Sequence, residues 1–123
     1  MIGPIAIRAA FAVAFVLAAS AAAHAGGALA IGACAAYGHA YDYPKVDDAR
    51  KAALAQCGAN CKIATVTRRG CLAFAIDGHN PCGPHGYAAS SRLGQAQNEA
   101  LKLCFRFGGR DCVIRAFACD GKG

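Results

Sequence analysis

Residues 49–57 read Ala-Arg-Lys-Ala-Ala-Leu-Ala-Gln-Cys, and residues 96–104 read Ala-Gln-Asn-Glu-Ala-Leu-Lys-Leu-Cys. Both stretches follow the pattern A-x3-A-L-x2-C, in which two alanines and a cysteine recur every fourth residue and share one face of a helix. Alanines on that face allow a helix to lie close to a sheet. The pattern therefore predicts two copies of one module, each with an alanine-faced helix that ends at a cysteine.

An aromatic strand is predicted ahead of each helix. In residues 35–43 the aromatic side chains alternate and would share one strand face. The motif H-x-Y of residues 39–41 recurs at residues 85–87. We take this face as a packing surface or, alternatively, as a recognition surface, because tyrosine supplies a large and rigid contact area. The candidate binding residues are Tyr37, His39, Tyr41, Tyr43, His85 and Tyr87.

The rest of each copy is expected to be short strands. Asp47 is the expected N-cap of a helix over residues 48–57, and residues 61–76 predict a β-hairpin. The order would be βαβ-β-βαβ, which makes the chain a small disulfide-rich α+β domain with two short helices on a sheet. We expect one domain over residues 33–120, with repeats at 33–76 and 82–120, after a flexible lead-in at 26–32.

The N-terminus predicts export. Arg8 precedes an apolar run that is too short to span a bilayer, and residues 23–25 form the A-x-A triplet that signal peptidase cleaves. Cleavage of the signal peptide 1–25 after Ala25 would leave 98 residues and place the protein in the periplasm or outside the cell, without a stable membrane span. It would also leave 12 basic and 7 acidic residues, a net charge of +5. These charges are scattered, so we expect no nucleic-acid partner.

The eight cysteines of an exported chain are expected to form disulfides. Eight cysteines permit 105 pairings, and the sequence does not choose among them. Duplication favours bridges within each half, and we favour Cys57–Cys61 with Cys34–Cys71 and Cys104–Cys112 with Cys82–Cys119. Zinc binding is the alternative interpretation, because His79, Cys82 and His85 form H-x2-C-x2-H. Since oxidised cysteines are not thiolate ligands, we expect no metal and no cofactor.

The chain resembles the secreted bacterial family called domain of unknown function 4189. The resemblance lies in the aromatic strand, the alanine-rich helix that ends at a cysteine, and the strand after it that begins with a cysteine. This pattern occurs twice behind a signal peptide. The resemblance covers about residues 32 to 120. It implies an exported bacterial protein of small α+β fold, and it brings no catalytic residues to transfer.

Three functions remain open from the sequence. We favour an exported, monomeric, non-catalytic binding or interaction module that acts on a protein or cell-surface partner. The chain has no H-E-x-x-H, phosphate-binding loop or dinucleotide motif, and its two adjacent serines lie outside a G-x-S-x-G turn. The alternative is a small secreted effector or hydrolase that uses the H-x-Y strands. A structural envelope protein is the third class.

Overall fold

The computed structural model describes residues 25–121, which form two successive ββαβ units. The prediction of a small α+β disulfide-rich fold with two helices is confirmed. The predicted signal peptide lies outside the described residues except for Ala25. The elements of the first unit are β1 Gly26–Ile31, β2 Tyr37–Tyr43, α1 Val46–Cys57 and β3 Lys62–Arg68. Those of the second unit are β4 Cys71–Asp77, β5 His85–Ser90, α2 Leu93–Arg106 and β6 Cys112–Cys119.

The predicted flexible lead-in is wrong, because residues 26–31 form β1, the central strand of the first sheet. Ala28 and Ala30 pack against α1, while Leu29 and Ile31 pack on the opposite face. A strand covered on both faces needs no alternation of polar and apolar residues, so its sequence lacks the usual strand signal. Including β1 changes the predicted order βαβ-β-βαβ into ββαβ twice.

The strands form two antiparallel three-stranded sheets, not the single sheet that the sequence predicted. The first has the order β2-β1-β3 and the second β5-β4-β6. The strands of the predicted hairpin, β3 and β4, therefore belong to different sheets, and the chain crosses between them at Arg69-Gly70. The repeats accordingly span residues 26–68 and 71–119, and not 33–76 and 82–120.

The elements pack in four layers, with α1 on the first sheet, the two sheets face to face, and α2 on the second sheet. Between the sheets lie the largest buried side chains of the core, among them Leu29 and Phe74. Alanines fill most of the space under each helix. No helix within residues 25–121 is long and apolar enough to cross a bilayer.

A glycine under each helix fixes how the two units align. A Cβ on Gly38 would overlap the carbonyl oxygen of Ala53, and one on Gly86 would overlap that of Ala100. Since Gly38 and Gly86 are equivalent, Tyr37-Gly38-His39 matches His85-Gly86-Tyr87. The match of residues 39–41 with 85–87 that the sequence suggested is therefore shifted by two positions, and histidine and tyrosine exchange places between the units.

All eight cysteines are paired. The predicted bridges Cys57–Cys61 and Cys104–Cys112 are confirmed, whereas the other two predicted pairs are wrong. Cys71 belongs to the second unit and faces Cys119 across the β4–β6 ladder, so these two residues are bridged. The remaining bridge, Cys34–Cys82, joins the two units.

The first helix begins two residues earlier than predicted, at Val46 instead of residue 48. Lys45 occupies the N-cap position without a side-chain hydrogen bond, and Asp47 lies in the first turn. There its carboxylate is 3.3 Å from the Arg50 guanidinium and near the positive end of the helix dipole. The helix ends at Cys57, and Gly58 follows as its C-cap with a φ of 104°, which suits glycine.

Candidate recognition site

Three of the predicted binding residues share one face of β2. The rings of Tyr37 and His39 stack with centroids 5.7 Å apart, and His39 and Tyr41 follow at 6.0 Å. Tyr37 pairs with Ile31 and His39 with Leu29, which both belong to the layer between the sheets. The face thus runs along the rim of that layer, with Tyr41 half exposed at its end.

Tyr43 does not lie on this face, so the prediction that the aromatic side chains of residues 35–43 share one strand face is wrong for Tyr43. Gly26 pairs with Tyr43 and Ala28 with Ala40, which leaves one extra residue in β2. Asp42 adopts a φ of 61° at this bulge. A bulge reverses the alternation of side chains, and Tyr43 consequently packs with the α1 core.

The bulge at Asp42 is tied to the end of the second unit. The Asp42 N–H donates to Oδ1 of Asp120 at 2.8 Å, and the Gly121 N–H donates to Oδ1 of Asp42 at 2.6 Å. Oδ2 of Asp120 is buried without a partner among the described residues. Burial raises the pKa of the Asp120 carboxyl, the bond from Asp42 N–H opposes this rise, and the Asp42 carboxylate adds to it.

The layer between the sheets has two long edges, which we call rims. Each rim lies between one strand of each unit, and the duplication makes the two rims equivalent. At the first rim, between β2 and β6, the Arg115 guanidinium lies 5.1 Å from the centre of the Tyr37 ring. Arg115 is the extra residue of a bulge in β6, and Ala64 is the extra residue of the matching bulge in β3. The two matching bulges therefore place the long, cationic side chain of Arg115 at one rim and the methyl group of Ala64 at the other.

The second rim, between β3 and β5, contains an open groove of about 410 Å³. His85 and Tyr87 line it from β5, and Lys62 and Ala64 from β3. Because Ala64 ends at Cβ, the space equivalent to that of the Arg115 side chain stays free. We name this feature the open groove, and its main lining residues are Ile31, Asn60, Lys62, Ala64, His85 and Tyr87.

Phe74 connects the two rims. This buried side chain contacts Tyr37 with ring centroids 6.3 Å apart and meets His85 in a T-shaped arrangement at 6.1 Å. The sequence missed Phe74, Arg115 and Ala64 as site residues. Their roles depend on the packing of the sheets and on the two bulges, which leave no signal in a single strand's alternation.

The open groove offers binding chemistry. It combines an apolar wall at Ile31 with the ammonium group of Lys62, the imidazole of His85 and the phenol of Tyr87. Such a mixture of apolar surface with a few polar groups is typical of sites that orient a ligand. Among residues 25–121 no three His, Cys, Asp or Glu side chains converge as metal ligands.

The H-x2-C-x2-H segment holds its cysteine in a bridge. Cys82 is bonded to Cys34, and His79 lies 3.3 Å from the Asp111 carboxylate. The loop is fixed by Asp77, whose carboxylate accepts the N–H groups of His79 and Arg110. These bonds, with that from Arg110 first, lower the pKa of Asp77.

The fold and the groove together define a small, disulfide-cross-linked domain of two ββαβ units with an open rim. The family model described as Domain of unknown function (DUF4189) matches residues 27–119, and the chain belongs to that family. Neither a curated protein nor a solved structure matches the chain.

Proposed function

We propose that the protein is an exported, non-catalytic binding module whose recognition site is the open groove. The observation that carries this proposal is the difference between the rims: equivalent backbone positions are covered by Arg115 at one rim and left open beside Ala64 at the other. A free rim that exposes histidine, tyrosine and lysine together is suited to a partner rather than to packing.

Export is supported by the cross-links. The structure has four disulfides and no free cysteine among residues 25–121. Disulfides of this density persist in oxidising compartments such as the periplasm or the extracellular space. Together with the apolar N-terminal segment, they favour a partner in the cell envelope or beyond it.

The charge of the groove suggests the class of partner. Lys62 is the cationic residue of its lining, and the chain carries 13 basic and 7 acidic residues in all. Since opposite charges steer encounter and set register, we favour a protein or surface polymer that presents an acidic or hydroxyl-rich segment with an apolar side.

The experiment compares capture from an envelope extract under non-reducing conditions by three variants. Ala64→Arg would place at the open groove the side chain that already fills the other rim, while Ala64→Ser and Arg115→Ala leave the groove open. We expect wild type and both open variants to retain one stoichiometric partner, and Ala64→Arg to bind it at least about tenfold more weakly, a loss of roughly 1.4 kcal/mol. Equal binding by Ala64→Arg, or no partner for any variant, would refute the proposal.

A further inference from the structure

The four disulfides differ in their access to solvent. Both cysteines of the Cys34–Cys82 bridge are exposed, whereas Cys71 and Cys104 are fully buried. The bridge at the end of α1 is half-buried on both sides. Thiol–disulfide exchange requires a thiolate to reach a disulfide sulfur. An incoming thiol therefore meets Cys34–Cys82 more readily than any of the other three bridges.

The exposed bridge lines a pocket of about 90 Å³. Phe74, Pro81 and His85 form other parts of the pocket wall. This volume admits a small group such as the thiol end of a cysteine side chain. The pocket shares His85 and the neighbouring Gly32-Ala33 segment with the open groove. A small thiol can enter the pocket directly, so the inference stands whether or not the groove binds a partner.

His85 is oriented beside this bridge. Its Nδ1 lies 3.3 Å from the carbonyl oxygen of Gly83, and its ring is T-shaped to the ring of Phe74. With the Nδ1 proton donated to Gly83, Nε2 remains available to accept or donate a proton. A histidine that carries a proton on Nε2 stabilises the cysteine thiolate that departs into the same pocket when the bridge opens.

The backbone segments that carry the two cysteines of the bridge differ in how they are held. Cys34 and Ala35 adopt φ values of 56° and 67°, which are unfavourable for residues with a Cβ. Opening the bridge allows that segment to relax. The loop of the other cysteine is held independently, since its N–H groups at His79 and Asn80 donate to Asp77. The reduced form thus keeps one fixed loop and one relaxed loop within the same fold.

We propose that Cys34–Cys82 is a thiol–disulfide exchange site for peptide or small-molecule thiols. An incoming thiolate attacks the sulfur of Cys34, a new disulfide forms between the substrate and Cys34, and the sulfur of Cys82 leaves as a thiolate beside His85. A second substrate thiolate then attacks the substrate sulfur of this mixed disulfide and releases Cys34. Two substrate thiols are oxidised to one disulfide, the bridge is reduced to two thiols, and the two protons of the substrate thiols pass to the cysteines.

The first test exposes the oxidised protein to glutathione buffers of increasing reducing strength, followed by alkylation and mass spectrometry of each cysteine. We expect Cys34 and Cys82 to be labelled at least about tenfold faster than the other six cysteines, while the circular dichroism spectrum is retained. Quenching at early times should trap glutathione on Cys34. Reduction of all four bridges together with unfolding, or glutathione on buried cysteines first, would overturn the proposal.

The second test assigns the role of His85 as a positioning residue. His85→Ala should slow the opening of the bridge by glutathione about tenfold, because exchange rates follow the stability of the leaving thiolate, and should alter the pH dependence of the rate. His79→Ala is the matched control, since His79 lies in the loop that leads into β5 but does not line the pocket. Equal rates for wild type and both variants would remove His85 from the step.

Discussion

The two units share a backbone plan and differ in what closes them. Both place a glycine under the helix, a bulge in the last strand and a cysteine at the helix end. The first unit pairs Gly26 with Arg68 at the end of its ladder, whereas the second pairs and bridges Cys71 with Cys119. The bulge residue has a small side chain in the first unit, Ala64, and a large one in the second, Arg115.

The comparison of the two units distinguishes residues that hold the fold together from residues that shape the proposed recognition site. The positions that the units share hold each helix on its sheet, and the positions that differ decide which rim is filled. The glycines and alanines are fixed by close packing, since a larger side chain has no space there. The bulge residues point to the rim, where either a methyl group or a guanidinium fits, so they are free to define a groove.

The largest expected effect concerns the covalent closure of the second unit. Replacing Cys71 and Cys119 together by alanine removes a bridge with a sequence separation of 48 and should lower the free energy of unfolding by about 4 kcal/mol. Replacing Cys57 and Cys61, which are four residues apart, should cost about 2 kcal/mol. Urea denaturation without reductant measures both. A larger loss for the short bridge would contradict the entropic account of the cross-links.

The next effect tests whether the helices rest on equivalent glycines. Gly86→Ala should destabilise the protein by about 3 kcal/mol, because the added Cβ overlaps backbone of α2 that cannot move cheaply. Gly38→Ala should cost a similar amount in the first unit. Thermal melting provides the measurement.

Gly94→Ala is the control for both glycine variants. Gly94 lies in α2 with open space around it, so alanine there should stabilise the protein by about 0.5 to 1 kcal/mol. If Gly38→Ala were tolerated while Gly86→Ala was not, the two units would not be aligned at these residues.

A smaller effect is expected at the filled rim. Arg115→Ala removes the guanidinium from the Tyr37 ring and should cost about 0.5 to 1 kcal/mol, the usual range for an exposed cation–π pair. A double-mutant cycle with Tyr37→Leu isolates the pair. Additive losses would show that Arg115 does not interact with Tyr37, and the contrast between the rims would then rest on shape alone.

The smallest effect is a pH dependence at the end of the second unit. There Asp120 N–H donates to Gly70, as Arg69 N–H donates to Ala25 at the equivalent place in the first unit. Since burial raises the pKa of Asp120, the folded state binds this proton more tightly than the unfolded state, and wild-type stability gains as pH falls through the folded pKa.

Asp120→Asn removes that buried charge. The variant should be more stable than wild type at pH 7, and its advantage should shrink at acidic pH, where the wild-type carboxyl is protonated. Melting temperatures across this pH range measure the difference, with Asp111→Asn at an exposed position as the control. Parallel curves for Asp120→Asn and wild type would contradict the assigned burial.

The sequence predicted the duplicated helices, the fold class and two of the four bridges because these depend on local spacing. It missed β1, since a run of small residues at the centre of a sheet looks like a flexible segment. That omission moved Cys71 into the wrong repeat and produced the two wrong disulfide pairs. The groove could not be predicted either, because it depends on how Ala64 and His85, from different sheets, meet at one rim.

Disulfide mapping by non-reducing digestion and mass spectrometry tests the central claim most directly. Two stacked ββαβ units predict a peptide pair that joins Cys34 to Cys82 and another that joins Cys71 to Cys119. Finding Cys34 joined to Cys71 and Cys82 to Cys119 would contradict both the boundaries of the units and the position of β1.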